Sequence, residues 1–295
     1  MGWIFRRSLC KLLDVKRWCV DYQDLYFIKI ESSENKTHPW SNKTEQEAEK
    51  VFTKTYPAIH KHFEQFRSQL INRSDQGRFF WELRSCKYWQ EFENPKIILG
   101  IFMDKATFAF DRNGFFANNA LHIIAGADEY VTAILNSSVA WWYLKGICTD
   151  LQNGYLQAYK EKLEQIPIPT ATEAERKAIE TLVGYVLHLT AALKDIPNSS
   201  DSSMDKLMTR YFEQILDAAV MELYLPEELH KYEYDKHFMR HLLSENIPNI
   251  DTIKGDKIQT LREIFNRLFE KDHPIRVGIF FLDSIPIVRT IRGLK

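Results

Sequence analysis

The sequence predicts an α+β fold, with a short mixed or antiparallel sheet in the first part of the chain and an all-helical C-terminal region. Aromatic and β-branched runs bounded by turn residues lie before residue 126, and helical periodicity with capping signals dominates beyond residue 170. Between them, the alternating prolines of Ile166-Pro167-Ile168-Pro169 are typical of an extended linker. Because 295 residues exceed the usual single domain, we predict an N-terminal remnant with entry strands at 1–43, a central domain at 44–169 and a helical domain at 170–295.

The first elements are predicted from residue type and spacing. Residues 15–30 are rich in aromatic and β-branched side chains, which indicates one or two strands. Thr44 and Glu47 have the spacing of a capping box, so a helix is expected to begin there. Pro57 interrupts or restarts that helix. Beyond Pro57, one helical face is predicted from the apolar residues Ile59, Phe63, Phe66 and Leu70.

The central strands are predicted next. Residues 96–103 form a compact apolar run, typical of a buried strand. Asn113-Gly114 lies between aromatic residues on both sides, which predicts a β-hairpin formed by 106–110 and 115–119. A further strand is predicted from Leu121 to Ile124.

Helices account for the rest of the chain. Asp128 begins a predicted helix that ends at Leu135, and the polar residues 136–138 offer caps for a second helix over 139–147. A Thr172-x-x-Glu175 capping box begins a third. Further helices are predicted over 204–224, 227–244 and 254–271, followed by an apolar piece from Ile275.

Composition excludes several classes of protein. The chain is 45% apolar and 27% charged with a net charge of -1, which is ordinary for a globular protein. Its four cysteines are scattered without a CxxC motif, which favours free thiols and a reducing, cytoplasmic setting. The longest apolar stretches contain charges, so no membrane span is predicted. Residues 50–90, however, carry eight cations and three acidic residues, a local charge of +5 that favours polyanions.

Common catalytic motifs are missing. The glycines form neither a dinucleotide-binding turn nor a phosphate-binding loop, and HExxH and GxSxG are absent. His60 and His62 lack the companions of a metal site, so they are predicted to be solvated or DNA-facing helix residues. Asp14-Val15-Lys16 has the form of a nuclease step, but no second carboxylate matches it. No catalytic residue and no metal site are therefore predicted.

The side chains favour contact with DNA. Arginine and lysine neutralise phosphates, and arginine also binds guanine with two hydrogen bonds. Asparagine and glutamine carry the donors and acceptors that base edges require. The candidate DNA-binding residues are Arg73, Arg78, Arg84, Lys87, Trp89, Lys96, Arg112, Asn113, Asn118, Asn119, Asn153 and Gln157. The aromatic runs 79–81 and 141–143 are predicted to be core.

Several short motifs then resemble a known family. They are Tyr56-Pro57-Ala58-Ile59, Leu70-Ile71-Asn72-Arg73, Phe80-Trp81-Glu82-Leu83, Asn94-Pro95-Lys96-Ile97, Asn136-Ser137 and Ile166-Pro167-Ile168-Pro169. In this order they resemble the TaqI-like C-terminal specificity domain, the target recognition domain of adenine-specific DNA methyltransferases and type II restriction enzymes. The resemblance extends from about Asp14 to Pro169.

The resemblance implies that the chain selects a double-stranded DNA sequence for a restriction-modification system. It also implies a methyltransferase or endonuclease partner, as a catalytic domain or a separate subunit, that uses S-adenosylmethionine and Mg²⁺. The Asn-Pro-Pro-Tyr-type motif of the methyltransferase is absent here. The expectation is therefore a non-catalytic specificity domain that lacks a cofactor of its own.

Two alternatives stay open at the level of sequence. The chain could be the C-terminal fragment of a type II restriction endonuclease or adenine-specific methyltransferase with a cryptic nuclease activity. It could instead be a structural or interaction protein whose helical half docks on a partner. The sequence leaves open whether the chain is an enzyme in its own right.

Overall fold

The computed structural model describes residues 6–194, 200–232 and 238–294. The strands are β1 (Arg6–Cys10), β2 (Tyr26–Ile28), β3 (Lys96–Gly100), β4 (Phe102–Met103), β5 (Phe108–Asp111), β6 (Phe116–Ala117), β7 (Leu121–Ala125), β8 (Thr149–Asp150) and β9 (Leu156–Gln157). The helices before residue 170 are α1 (Glu45–Thr55), α2 (Pro57–Glu64), α3 (Arg67–Asn72), α4 (Glu129–Leu135), α5 (Ser138–Ile147) and α6 (Lys160–Leu163). Those after it are α7 (Glu173–Ala192), α8 (Ser200–Tyr224), α9 (Pro226–Leu229), α10 (Phe238–Ser244), α11 (Lys257–Leu268), α12 (Pro274–Leu282) and α13 (Pro286–Arg292).

The strands form three small sheets. The first has the order β2-β1-β6, with β1 antiparallel to β2 and parallel to β6. The second, β5-β3-β7, is antiparallel throughout, and so is the third, β4-β9-β8. Helices alone follow residue 170 in the described part of the chain. The predicted α+β class with mixed and antiparallel sheets is therefore confirmed.

Local capping chemistry sets the helix starts as predicted. The Glu47 carboxylate accepts a hydrogen bond from Thr44 N (3.3 Å) ahead of α1. Asp128 accepts one from Val131 N at the start of α4, and Thr172 accepts one from Glu175 N at the start of α7. Side-chain oxygens satisfy amides of the first turn that have no partner within the helix, so these starts are fixed by neighbouring residues alone.

Two local predictions were wrong. The hairpin around Asn113-Gly114 does not form, because β5 pairs with β3 while β6 runs parallel to β1. Instead, the Asp111 carboxylate accepts hydrogen bonds from Asn113 N (2.8 Å) and Phe115 N (2.9 Å) and turns the chain away from β5. The single helical face beyond Pro57 is also broken: α2 ends at Glu64, α3 begins at Arg67, and Phe66 between them is 41% exposed.

The C-terminal helices share an apolar core with part of the central region. Tyr130 and Ile134 of α4 and Val139 of α5 lie in one buried cluster with Leu182 of α7 and Phe212 of α8. The predicted 227–244 helix is α9 and α10, with residues 233–237 outside the described residues. Apolar packing thus continues across residue 170, and the division into 1–43, 44–169 and 170–295 stays a prediction. In the described ranges, every helix is too short or too polar to cross a bilayer.

Candidate nucleic-acid interface

The third sheet presents a mixed amide and aromatic face. Met103 of β4 and Leu156 of β9 are 3% and 2% exposed and pack in the apolar core below the sheet. Side chains alternate between the two faces of a strand, so Phe102 and its register partner Gln157 lie together on the outer face. Thr149 of β8 also pairs with Gln157 and joins this face. Burial of one side of the sheet thus fixes which side chains the other side offers.

Backbone hydrogen bonds bring a second pair of amides to the same place. Ile101 N donates to Ala120 O (3.2 Å), and Ala158 N donates to Ile101 O (2.9 Å). The segment around Ile101 therefore lies between the loop before β7 and the end of β9. Asn118 and Asn119 are in that loop. Asn118 is partly exposed and its Oδ1 accepts a hydrogen bond from Ala120 N (3.2 Å), and Asn119 is exposed.

The hairpin between β8 and β9 completes this surface. Asn153 and Gly154 have φ angles of 65° and 77°, the left-handed conformation that asparagine and glycine tolerate best. Asn153 is exposed at the tip. We define the amide surface as Phe102, Asn118, Asn119, Thr149, Asn153 and Gln157. This definition includes four of the twelve predicted DNA-binding residues, which lie on the loop before β7, on β9 and at the tip of the β8–β9 hairpin.

A groove of about 480 Å³ adjoins the amide surface along the outer edge of β7. Its lining includes Tyr88, Asn118, Asn119, His122 and Lys160. Tyr88 is 54% exposed, and Lys160 forms an exposed pair with Glu164 (3.5 Å). Lys87, next to Tyr88, is exposed as well. The groove therefore combines an aromatic ring, amides and the Glu91 carboxylate with two cations at or near its rim.

Three arginines predicted to bind DNA lie on a separate aromatic cluster. Arg73 is partly buried and donates to Phe80 O (3.2 Å) and to Glu82 O; burial lowers the pKa of its guanidinium. Arg78 donates to Ser41 O (2.6 Å). Arg78 is nevertheless an exposed residue, and Arg84 is exposed and pairs with Asp75 (3.3 Å). The first two therefore hold loops together, and the cationic segment offers fewer free charges than its sequence suggests.

Lys96 is not on the surface, which corrects its assignment as a DNA contact. Its side chain is completely buried, and its ammonium donates to Asp111 and to Phe92 O (2.6 Å). A buried lysine is stable as a cation only when it is paired and hydrogen-bonded. Lys96 therefore joins the turn at 89–92 to the loop after β5.

Arg112 and Asn113 lie at the far end of the second sheet. Lys96 pairs with Asp111, whereas Gly100 pairs with Leu121, so four residues of β3 separate the two ends. At about 3.4 Å per residue this is roughly 13 Å. Arg112 forms an ion pair with Glu129. These two residues are therefore not part of the amide surface.

Trp89 is partly buried rather than presented to solvent. Its ring centroid lies 6.1 Å from that of Phe92 and 6.0 Å from that of Phe116, and the Lys29 ammonium is 5.1 Å away. Its indole nitrogen is buried without a hydrogen-bond partner in the described residues. The ring thus packs beneath the turn that carries Tyr88.

The one cluster of metal-type ligands in the described residues already contains a cation. Glu49, His60 and Glu64 have ligand atoms within 4.8 Å of one another. The Arg67 guanidinium bonds to both carboxylates and holds the pKa of Glu49 at about 2. His60, predicted to be solvated or DNA-facing, instead contacts Glu49 (3.0 Å). The Arg67 guanidinium therefore compensates the negative charges of Glu49 and Glu64.

The nuclease-like step at Asp14 has a structural role. Asp14 is 4% exposed, and its carboxylate accepts a hydrogen bond from Lys11 N (2.8 Å). Lys16 is exposed. The carboxylate thus holds the turn formed by residues 11–14.

Comparison with known proteins identifies the family. The sequence profile of the TaqI-like C-terminal specificity domain matches residues 13–168, more than half of the chain. The chain belongs to this family. A search of curated proteins finds no match. The resemblance predicted from Asp14 to Pro169 is thereby confirmed. A TaqI-like specificity domain supports DNA recognition and association with the catalytic part of a restriction-modification enzyme.

The motifs that resemble the TaqI-like family stabilise its fold. Glu82 of Phe80-Trp81-Glu82-Leu83 is fully buried and accepts hydrogen bonds from Ser33 N (3.0 Å), Trp40 Nε1 (2.8 Å), Arg78 N (3.1 Å) and Ser33 Oγ. Asn136 bonds both Phe108 N and Phe108 O, so it ties α4 to β5. The motifs therefore identify the family through its framework, whereas the amide surface lies largely outside them.

Sequence reasoning missed Phe102 and Lys160 as members of the candidate interface. Phe102 lies in an apolar run that predicts a buried strand, and only its alternation with buried Met103 shows that it faces outward. Lys160 offers no signal, because its place beside Asn119 depends on how β9 pairs with β4.

Proposed function

We propose that the chain recognises a specific sequence in double-stranded DNA as the target recognition domain of a restriction-modification enzyme. Methyl transfer or cleavage would be carried out by a catalytic region or subunit, which would bind S-adenosylmethionine and Mg²⁺. Its substrate, cellular DNA, would place the protein in the cytoplasm. The observation that carries the proposal is the match to a TaqI-like specificity domain. The proposal is supported by amide side chains on the loop before β7 and on the β8–β9 hairpin, two segments that backbone hydrogen bonds of Ile101 connect.

The amide surface suits base recognition. An asparagine or glutamine side chain can donate and accept at once, which matches adenine in the major groove. The four amides come from the loop before β7 and the β8–β9 hairpin, which are supported by buried strands. Side chains held on a rigid support lose little entropy on binding. Lys87 and Lys160 flank the groove and can contact phosphates. Amides would select the sequence, and lysines would position the duplex.

Selection from randomised duplexes tests this proposal. The full chain should enrich a defined sequence, and the affinity should fall with salt by a slope of about 0.9 per phosphate contacted. Asn118→Ala/Asn119→Ala and Gln157→Ala should each weaken binding to the selected site about tenfold or more, with the slope unchanged. Lys87→Ala and Lys160→Ala should instead reduce the slope by about one contact each.

Gln69→Ala removes an exposed amide on α3 and is the matched control. It should leave affinity, slope and preference unchanged. Binding without enrichment of any sequence, or equal losses for Gln69 and the amide-surface variants, would contradict the proposal.

A further inference from the structure

Phe102 is an apolar ring exposed on a polar surface. It is 45% exposed, whereas the next residue, Met103, is 3% exposed. In the two-residue strand β4, the Met103 side chain therefore faces the core and the Phe102 side chain faces solvent. A phenyl ring left in water gives up stabilisation that burial would supply, so contact with a partner would bring a gain in free energy.

The surroundings of the ring are those of a base-reading surface. Gln157 is its register partner, and directly opposed side chains on one face lie within about 5.5 Å of each other at Cβ. The Gln157 amide is itself oriented by a hydrogen bond to the Tyr159 hydroxyl. Asn118 and Asn119 lie in the loop before β7, and the backbone hydrogen bonds of Ile101 connect this loop to the end of β9. Hydrogen-bonding amides thus flank an apolar group on two sides.

The ring is held on a rigid support. Ala158 N bonds Ile101 O (2.9 Å), and Ala158 is fully buried. Gly100 permits the bend between β3 and β4, because a Cβ there would lie 2.6 Å from Leu12 Cδ1 and 3.0 Å from Phe102 O. A side chain with two torsions on a fixed backbone is ordered at small entropic cost. Phe102 is therefore preorganised for contact.

We propose that Phe102 is a specificity-determining residue that contacts the C5 methyl group of a thymine in the recognised site. This inference rests on the proposed function. In the major groove only thymine presents a methyl group, and apolar side chains including phenylalanine contact it. The amides beside Phe102 would bond the polar edges of the same or neighbouring base pairs, and the ring would add the apolar part of the recognition.

Replacement of thymine by uracil removes that methyl group and leaves every hydrogen-bonding group in place. Covering one methyl group corresponds to about 0.8 kcal/mol, or about a fourfold change in Kd. The wild-type chain should therefore bind about fourfold more weakly when one particular thymine of the selected site becomes uracil. Phe102→Ala should bind the thymine and uracil duplexes equally.

Each thymine on both strands of the selected site is replaced by uracil, one position at a time. The Kd for each duplex is measured by fluorescence anisotropy for four proteins. These are the wild type, Phe102→Ala, Phe102→Leu and the control Phe280→Ala, which removes a phenyl ring that is 63% exposed on α12. Phe102→Leu keeps an apolar side chain and should retain part of the discrimination. Phe280→Ala should discriminate as the wild type does. The salt slope should be the same in all four, since no phosphate contact is removed.

The inference is overturned if no uracil position weakens the wild type, if the weakening persists in Phe102→Ala, or if the selected site contains no A·T pair. Those results leave the proposed function intact, because a defined sequence has still been enriched. Failure to enrich any sequence defeats the proposed function itself, before the thymine comparison is made. The two failures are therefore distinguishable.

Discussion

Replacement of Glu82 by glutamine tests whether the aromatic cluster depends on one buried carboxylate. One oxygen, Oε2, accepts from Ser33 N and Arg78 N, and the other, Oε1, accepts from Trp40 Nε1 and Ser33 Oγ. Glutamine has the same shape but turns one of these oxygens into a donor. If the amide nitrogen replaces Oε2, the hydrogen bonds from Ser33 N and Arg78 N are lost. If it replaces Oε1, the bond from Trp40 Nε1 is lost, while the Ser33 hydroxyl can rotate to accept. At least one buried donor therefore faces another donor in either orientation.

The expected cost follows from burial. Each buried donor without a partner costs about 1–3 kcal/mol, so Glu82→Gln should lower the free energy of unfolding by about 1–3 kcal/mol. Trp40 and Trp81 lie in the same cluster, with ring centroids 6.3 Å apart. Tryptophan fluorescence during urea unfolding therefore includes a signal from this part of the chain, beside that of the other tryptophans.

Glu34→Gln is the matched control, because Glu34 is an exposed carboxylate in the neighbouring loop. A surface change of this kind should alter the free energy of unfolding by no more than about 0.5 kcal/mol. If Glu82→Gln costs less than about 1 kcal/mol, or no more than the control, the argument that Glu82 stabilises the cluster is wrong.

Three further predictions concern the ion pairs of Lys96, Arg67 and Asp205. Lys96→Met should destabilise the fold by about 3–5 kcal/mol in urea titration, because Asp111 is left buried without its cation, yet the salt slope of DNA binding should not change. The lowered pKa of Glu49, caused by Arg67, stabilises the folded state above the unfolded pKa, and this contribution is lost as the pH falls toward about 2. Arg67→Met should therefore lose stability near neutral pH and show a flatter fall of Tm between pH 4.5 and pH 2. Asp205 binds Arg262 through two hydrogen bonds of 2.8 Å between α8 and α11, so Asp205→Asn should lower Tm by several degrees, as calorimetry would show.

Helix starts could be read from the sequence, because each depends on residues within one turn. The Thr44, Asp128 and Thr172 caps need only a side-chain oxygen and the amides that follow it. Strand pairing could not be read in this way. Asn113-Gly114 has the composition of a hairpin turn, but the buried pair of Lys96 and Asp111 directs the chain elsewhere.

The same distinction applies to the candidate interface. Residue type was sufficient to select amides and cations, and it could not show which of them are buried. Lys96 is fully buried, and Arg78 of the positive segment is exposed but donates to a backbone carbonyl. Charge summed along a sequence takes no account of pairing with residues outside the window, such as that of Arg67 with Glu49.

The sequence by itself determined the α+β class, the helix starts and membership of the TaqI-like specificity family, since these depend on local periodicity, capping residues and ordered short motifs. Only the tertiary structure decided that Asn118, Asn119, Asn153 and Gln157 share a surface with Phe102, whereas Lys96 and Arg112 do not. The physical reason is that a surface is assembled from strand register and from burial of the opposite face. Both are set by contacts between residues far apart in the chain.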